Sequence, residues 1–272
     1  MITLFRKIRR KLLTQNSFTR YILYASGEIV LVVIGILIAL QINSWNQQRK
    51  DRQQEQIILN QLHQEFMSNL DQLDEKIGIR KSIIHSSLRL YDYIDHPELR
   101  STDSIYSHVS TLGIAPTFDP IINDLIGSGK LQLLQNQELK ERLSLWTSEI
   151  IQLTEEEQNW LRFRDDHFMQ FVILNFNVRN IDIYRWNNNS ISAFLLDRND
   201  SLGIKATPSQ HADNLFAILD IPVFENLVAR GKLLNEIANL QSYALRKRIV
   251  EIISLIEKEM NTKPEPLKTD NE

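Results

Sequence analysis

Apolar and polar positions follow two rhythms along this chain. The first is an unbroken run. Ile29 to Leu40 are twelve consecutive apolar or glycine positions inside GEIVLVVIGILIALQI, residues 27–42. Beyond Tyr21 and before Arg49 no basic residue occurs, and Glu28 is the only acid. Ile22 to Ile42 would span about 31 Å as a helix, close to the hydrocarbon thickness of a bilayer. Tyr21 and Tyr24 stand at one end and Trp45 at the other, where amphipathic rings favour the membrane interface. The run therefore predicts a transmembrane helix.

The second rhythm is a stripe with steps of three and four. Leu59, Leu62, Phe66, Leu70, Leu73 and Ile77 carry it, then Ile84, Leu88 and Tyr91. It predicts one amphipathic helix from Gln47 to about Ile94, continuous with the span, with Gly78 marking a bend and Asp95-His96-Pro97 the stop. Ser101 to Leu112 reads as a shorter helix and Gly113 to Pro120 as turn chemistry. Ile121 to Ile126 reads as one or two helical turns, broken at Gly127-Ser128-Gly129. Asn136 is an N-cap for a long helix bearing Leu139, Leu143, Trp146, Ile150, Leu153, Trp160 and Phe168, running to about Phe176. Two such helices joined by a compact connection form a long hairpin. Residues 177–212 read as a long connection with local helix. Asp220-Ile221-Pro222 opens a short helix to Arg230, and Leu234, Ile237, Leu240, Ile249, Ile252 and Ile256 carry a last long helix to about Met260. The expected fold is all-α, one N-terminal transmembrane helix followed by a long-helix antiparallel bundle. Its parts are a basic amphipathic head at 1–20, the transmembrane signal anchor at 21–45, a helical extramembrane domain at 46–261 and a disordered tail at 262–272.

Composition narrows the chemistry. The 272 residues hold no cysteine, which excludes disulfides, thiolate metal sites and cysteine nucleophiles. Eight glycines and seven prolines are few, in keeping with long helices. The net charge of −3 hides an asymmetry. Six basic residues and no acid precede residue 21, and beyond residue 42 there are 25 basic against 33 acidic. An acidic body argues against nucleic acid as a partner. Phe5, Ile8 and Leu12 alternate with Arg6, Lys7, Arg9, Arg10 and Lys11 as in a short helix lying on an anionic leaflet, so the lipid bilayer is the first expected partner.

Orientation follows from the basic residues, six before the span against Arg49, Lys50 and Arg52 just after it. The positive-inside rule puts the N-terminus in the cytoplasm and the C-terminal domain in the periplasm, anchored in the inner membrane. The run is followed by no small-x-small cleavage pattern, so an uncleaved signal anchor is expected. Within the span, Glu28, Gly35 and Ala39 fall on one helical face, and Gly35 and Ala39 have the spacing that lets two helices approach closely. Two readings of this face stand. In one, Glu28 hydrogen-bonds across a helix–helix contact in a homo-oligomer. In the other, Glu28 snorkels toward headgroups and Gly35 is incidental.

The block FRKIRRKLL, with YILYASGEIVLVVIGILIALQINSWN after it, resembles an uncharacterised family of single-pass helical membrane proteins of Bacteroidota, a domain of unknown function. DLIGSGKLQLLQNQELKERL, from Asp124, is similar to that family's second recurrent block. The resemblance implies a membrane-anchored helical protein and brings no catalytic residues with it.

No motif points to catalysis. Gly127-Ser128-Gly129-Lys130 is followed by Leu131 and lacks the strand and Ser/Thr of a phosphate loop. The six histidines form no metal-ligand pair, and Asp165-Asp166-His167 lies in a charged helical stretch. Asp197 to Gly203 lacks the glycine and glutamate of a calcium loop. Glu155-Glu156-Glu157 reads as an exposed helix face. No nucleophile elbow occurs, and no cofactor is expected. The expected function is a non-enzymatic scaffold, adaptor or sensor-like module with an unidentified protein partner. The alternatives are a membrane-anchored hydrolase with its site near residues 177–212, and a reversed topology with the body in the cytoplasm.

Overall fold

The computed structural model describes residues 18–122, 129–187, 206–211 and 214–261. Within them every regular element is helical. The helices are α1 (Phe18–Asp95), α2 (Thr102–Leu112), α3 (Gln137–Phe163), α4 (Met169–Asn175), α5 (Val178–Asn187), α6 (Leu215–Leu219) and α7 (Pro222–Asn261). Short 3-10 turns lie at Pro97–Leu99 and Lys130–Leu133, and a π-helical turn at Arg164–Phe168 joins α3 to α4. The chain divides into two compact units, Met1–Ile58 and Leu59–Glu272.

In the first unit the apolar run is solvent-exposed. Ile29, Leu31, Leu37 and Leu40 are all more than half exposed, and an 18-residue window of this helix has a mean hydropathy of 2.3 with none of it buried. A core helix of a soluble protein would hide these side chains. Among the described residues one helix is long and apolar enough to cross a membrane, compatible with a single span.

In the second unit α1, α3 and α7 pack side by side. Ring centroids of Phe66 and Trp146 lie 5.0 Å apart, and further along both helices Arg80 meets Glu157, so α1 and α3 run in the same direction. Against α7 the order reverses. Asp74 pairs with Arg246 and His63 with Glu257, while Arg142 pairs with Glu251 and Asn136 with Glu259. The long hairpin expected of α1 and α3 is therefore replaced by a same-direction pair with α7 antiparallel to both.

Same-direction packing obliges the chain to travel back between α1 and α3. After the turn at Gly113, residues 114–122 do this without regular structure. Ile114, Ala115 and Phe118 are buried. Such a segment laid on helices must find partners for its backbone polar groups, and side chains provide them. The Asn69 amide donates to the Ile121 carbonyl at 2.9 Å and accepts from its N–H at 2.8 Å. Gln72 accepts from Asp119 N–H, and Trp160 donates to the Ile114 carbonyl. Ile121 and Ile122 are not helical, and 123–128 lie outside the described residues.

Asn136 caps α3 as expected, accepting from Leu139 N–H at 2.9 Å. The expected run to Phe176 is interrupted by the π turn. Its one extra residue lets Phe168, eight positions after Trp160, return to the buried face with Val172 and Phe176 behind it. At the other end α7 is a single helix and does not break at Arg230. Gly231 lies inside it because a β-carbon there would sit 3.0 Å from the Trp160 ring. Gly129 (φ 72°) takes the left-handed conformation and opens the 3-10 turn at Lys130; Gly127 and Ser128 lie outside the described residues.

Candidate functional site

Among the described residues the buried charged side chains are Glu55, Glu65, Arg80 and Glu157, and the last two pair with each other. On α3 the buried residues are Leu139, Leu143, Trp146, Ile150, Leu153, Glu157 and Trp160, an unbroken alternation of four and three. Glu157 occupies a core position in that series and is 2% exposed, so the reading of Glu155-Glu156-Glu157 as a wholly exposed face is corrected. On α1, Arg80 follows Ile77 three residues on and is 1% exposed. It carries the stripe on to Ile83, Ser87 and Leu90, leaving Leu88 44% exposed.

The two charges meet where α1, α3, α7 and the 114–122 segment come together. Arg80 Nη1 donates to Glu157 Oε1 at 2.6 Å, Nε to Asn239 Oδ1 at 2.9 Å and Nη2 to Ser242 Oγ at 2.6 Å. The second carboxylate oxygen of Glu157 accepts from Phe118 N–H at 2.8 Å. Ser242 donates onward to the Ala238 carbonyl. Burial pushes the Glu157 carboxyl above the usual carboxylate range, with Arg80 and Phe118 N–H pulling it back. Burial likewise lowers Arg80 from its ordinary value, and Glu157 opposes the shift. Each guanidinium nitrogen and each carboxylate oxygen is engaged. The arrangement fixes four chain segments in one register and presents no reactive atom.

Between α3 and α7 runs an open groove of about 590 Å³, lined in part by Arg142, Leu145, Glu149, Lys247, Arg248 and Glu251. Its charges are largely paired across the helices, Arg142 with Glu251 and Arg248 with Glu149. Burial raises the Glu149 carboxyl, while Arg248 draws it down. Among the described residues no group of three or more His, Asp or Glu is placed to hold a metal ion.

The polar side chains read as an alternative hydrolytic site bind chain to chain. Asn180 donates to Tyr106 Oη and accepts from Ser209 N–H. Arg179 donates to Thr207, and Tyr184 to Asp103. Burial, followed by the Asp103 carboxylate, pushes the Tyr184 phenol up to about 12. Residues 188–205 and 212–213 lie outside the described residues.

Of the membrane residues singled out in the sequence, Glu28, Gly35 and Ala39 are exposed on α1, and nothing lies within 4 Å of a β-carbon built on Gly35. Tyr24 is half-buried and Trp45 is 50% exposed. Arg6, Lys7, Arg9, Arg10, Lys11 and the Tyr21 side chain lie outside what is described, as do Asp197 to Gly203 and the 262–272 tail. The buried Arg80 junction was missed in the sequence. The four-three period on α3 is the signal that could have found Glu157.

Residues 28–114 match a family of unknown function (DUF6090). The match takes in the apolar run Ile29 to Leu40, the part of α1 that follows it and α2, and ends at Ile114. The stretch from Asp124 that resembles a second block lies beyond it. No curated protein and no solved structure matches the chain.

Proposed function

We propose that this protein is a single-pass inner-membrane protein whose periplasmic helical bundle is a non-catalytic interaction module, a scaffold, adaptor or sensor-like domain. The observation that carries the reading is the fully exposed apolar run on α1, Ile29 to Leu40, in a chain whose second unit has a core of its own. Exposed apolar surface of this extent needs a lipid or protein cover. The length of the run, its freedom from basic residues and its aromatic flanks favour lipid. The six basic residues before it favour a cytoplasmic N-terminus. The non-catalytic part is supported by the Arg80–Glu157 junction, whose polar atoms are spent on holding helices together.

Within the bilayer, the face of Glu28, Gly35 and Ala39 is proposed as a contact between two copies of the span, with Glu28 as its hydrogen-bonding group.

Extraction and topology test the reading together. The full chain is expected to stay with membranes through alkaline carbonate washing, and a reporter fused after Glu272 to be active in the periplasm. Release into the wash would refute the anchor, and a reporter active only in the cytoplasm would refute the orientation. A Glu28→Leu variant that self-associates unchanged in bilayers would remove the span contact.

A further inference from the structure

We propose that His108 is an acid-operated latch, which on gaining a proton loosens α2 from α1 while α1, α3 and α7 stay packed. α2 is a short helix held on α1 by Ile105, Val109 and Leu112, which share a core cluster with Ile83, Leu90 and Tyr93. His108 belongs to that same contact. Its ring centroid lies 6.5 Å from that of His85 and 5.9 Å from that of Tyr93, with Nδ1 3.1 Å from Ser86 Oγ. Turns bound α2 at both ends, at Pro97–Leu99 and at Gly113, so it can lift as a unit.

An imidazolium in this contact finds no acid to answer it. From α1 the ring faces His85 and Arg89, and the Asp92 carboxylate is bound to Arg89 at 2.8 Å. The Tyr93 ring already carries the Arg89 guanidinium at 5.3 Å. On α5, packed against α2, Tyr184 donates to Asp103 and Arg185 pairs with Asp182. On α6, Asp220 is committed to Arg100. The histidine ion pairs among the described residues are those of His63 and His96, and His108 has none. Ser86 can donate or accept, so its bond does not select the neutral ring. Burial first, then Arg89 and His85, select it. Below about pH 6.5 the ring of an opened α2, in water, takes up a proton more readily than the ring of a closed one. Acid therefore shifts the balance toward opening.

This inference deepens the sensor-like reading and rests on it only for its biological purpose. Hydrogen exchange of the full chain in detergent tests it, compared between about pH 7.5 and about pH 5.5 and corrected for intrinsic rate. Amides of α2 are expected to exchange several-fold faster in acid, while those of α7 remain far better protected than α2 at both values. His108→Gln should abolish the acid response of α2. His85→Glu, at an exposed position, sets a carboxylate beside His108 and should reverse the response, with α2 better protected in acid. Equal protection of α2 and α7 would show that α2 opens only when the whole unit unfolds, and would overturn the latch. So would an α2 that ignores acid, or an acid response left unchanged by His108→Gln or His85→Glu. Carbonate extraction reads the anchor independently of all these outcomes.

Discussion

Arg80 and Glu157 show what a charge does when a helical core closes around it. Removing one partner of a buried pair leaves the other charge without compensation, at a cost of about 3–5 kcal/mol. Glu157→Ala is accordingly expected to lower unfolding stability by that amount in chemical denaturation, a loss far larger than for Glu155→Ala on the exposed side of the same turn. Arg80→Met combined with Glu157→Leu should recover most of the loss, since well-packed apolar residues often replace a buried pair at little cost. What remains, roughly 1–3 kcal/mol, reflects the orphaned Phe118 N–H and Asn239 side chain. His108 on α2 is a smaller case. Its ring sits 6.5 Å from His85 and 5.9 Å from Tyr93, with Nδ1 3.1 Å from Ser86 Oγ. Burial first, then Arg89 and His85, hold its pKa below the usual histidine value. A histidine depressed in the folded state is protonated first in the unfolded chain. Stability is therefore expected to fall as pH drops below about 6.5 and to level off below the folded pKa. Thermal melts from about pH 8 to about pH 5 should show this slope flattened in His108→Asn.

Among the elements, α7 and the 114–122 segment separate what was legible in the sequence from what was not. The exposed run of α1, the Asn136 cap and the extents of α1 and α2 were readable, because each depends on local pattern or local hydrogen bonding. The single α7 was not. Gly231 looks like a stop in sequence, yet its place is set by an indole on another helix. The propensity gain of Gly231→Ala, about 0.5–1 kcal/mol, is expected to be outweighed by its clash with Trp160, giving net destabilisation in thermal melts. Gly113→Ala should cost less, because the nearest atom its β-carbon meets is the movable end of Arg185, with the Ser110 carbonyl farther off at 3.3 Å. The return of 113–122 was likewise invisible. Its partners, Asn69, Gln72 and Glu157, are polar residues on helices, and they break the apolar template that finds a core face. The same substitution of polar for apolar shifted the second half of the α1 stripe from Ile84 and Leu88 to Ile83 and Leu90.

Across the whole molecule, the Arg80 junction draws on residues far apart in the chain. The family match ends at residue 114, whereas the partners of Arg80 are Glu157, Asn239 and Ser242. The core around α2 likewise relies on Phe168, Val172, Leu215 and Phe224. A chain ending after Ile114 is thus expected to lose protection of α2 in hydrogen exchange and to be cleaved readily there, while the full chain resists both. Local motifs read from residues 28–114 describe the apolar run and the helices α1 and α2, but the assembled core is written in all of the helices together.

The order of the pairings also sets a timetable for biosynthesis. Between Arg80 and Ser242 lie 161 residues, and translation at about 5–20 residues per second separates their appearance by roughly 8–32 seconds. For that interval the nascent α1 carries Leu59, Leu62, Phe66, Leu73 and Ile77 without the α7 that later covers them. Until the last helix emerges, the core face of α1 is left without one of the helices that bury it.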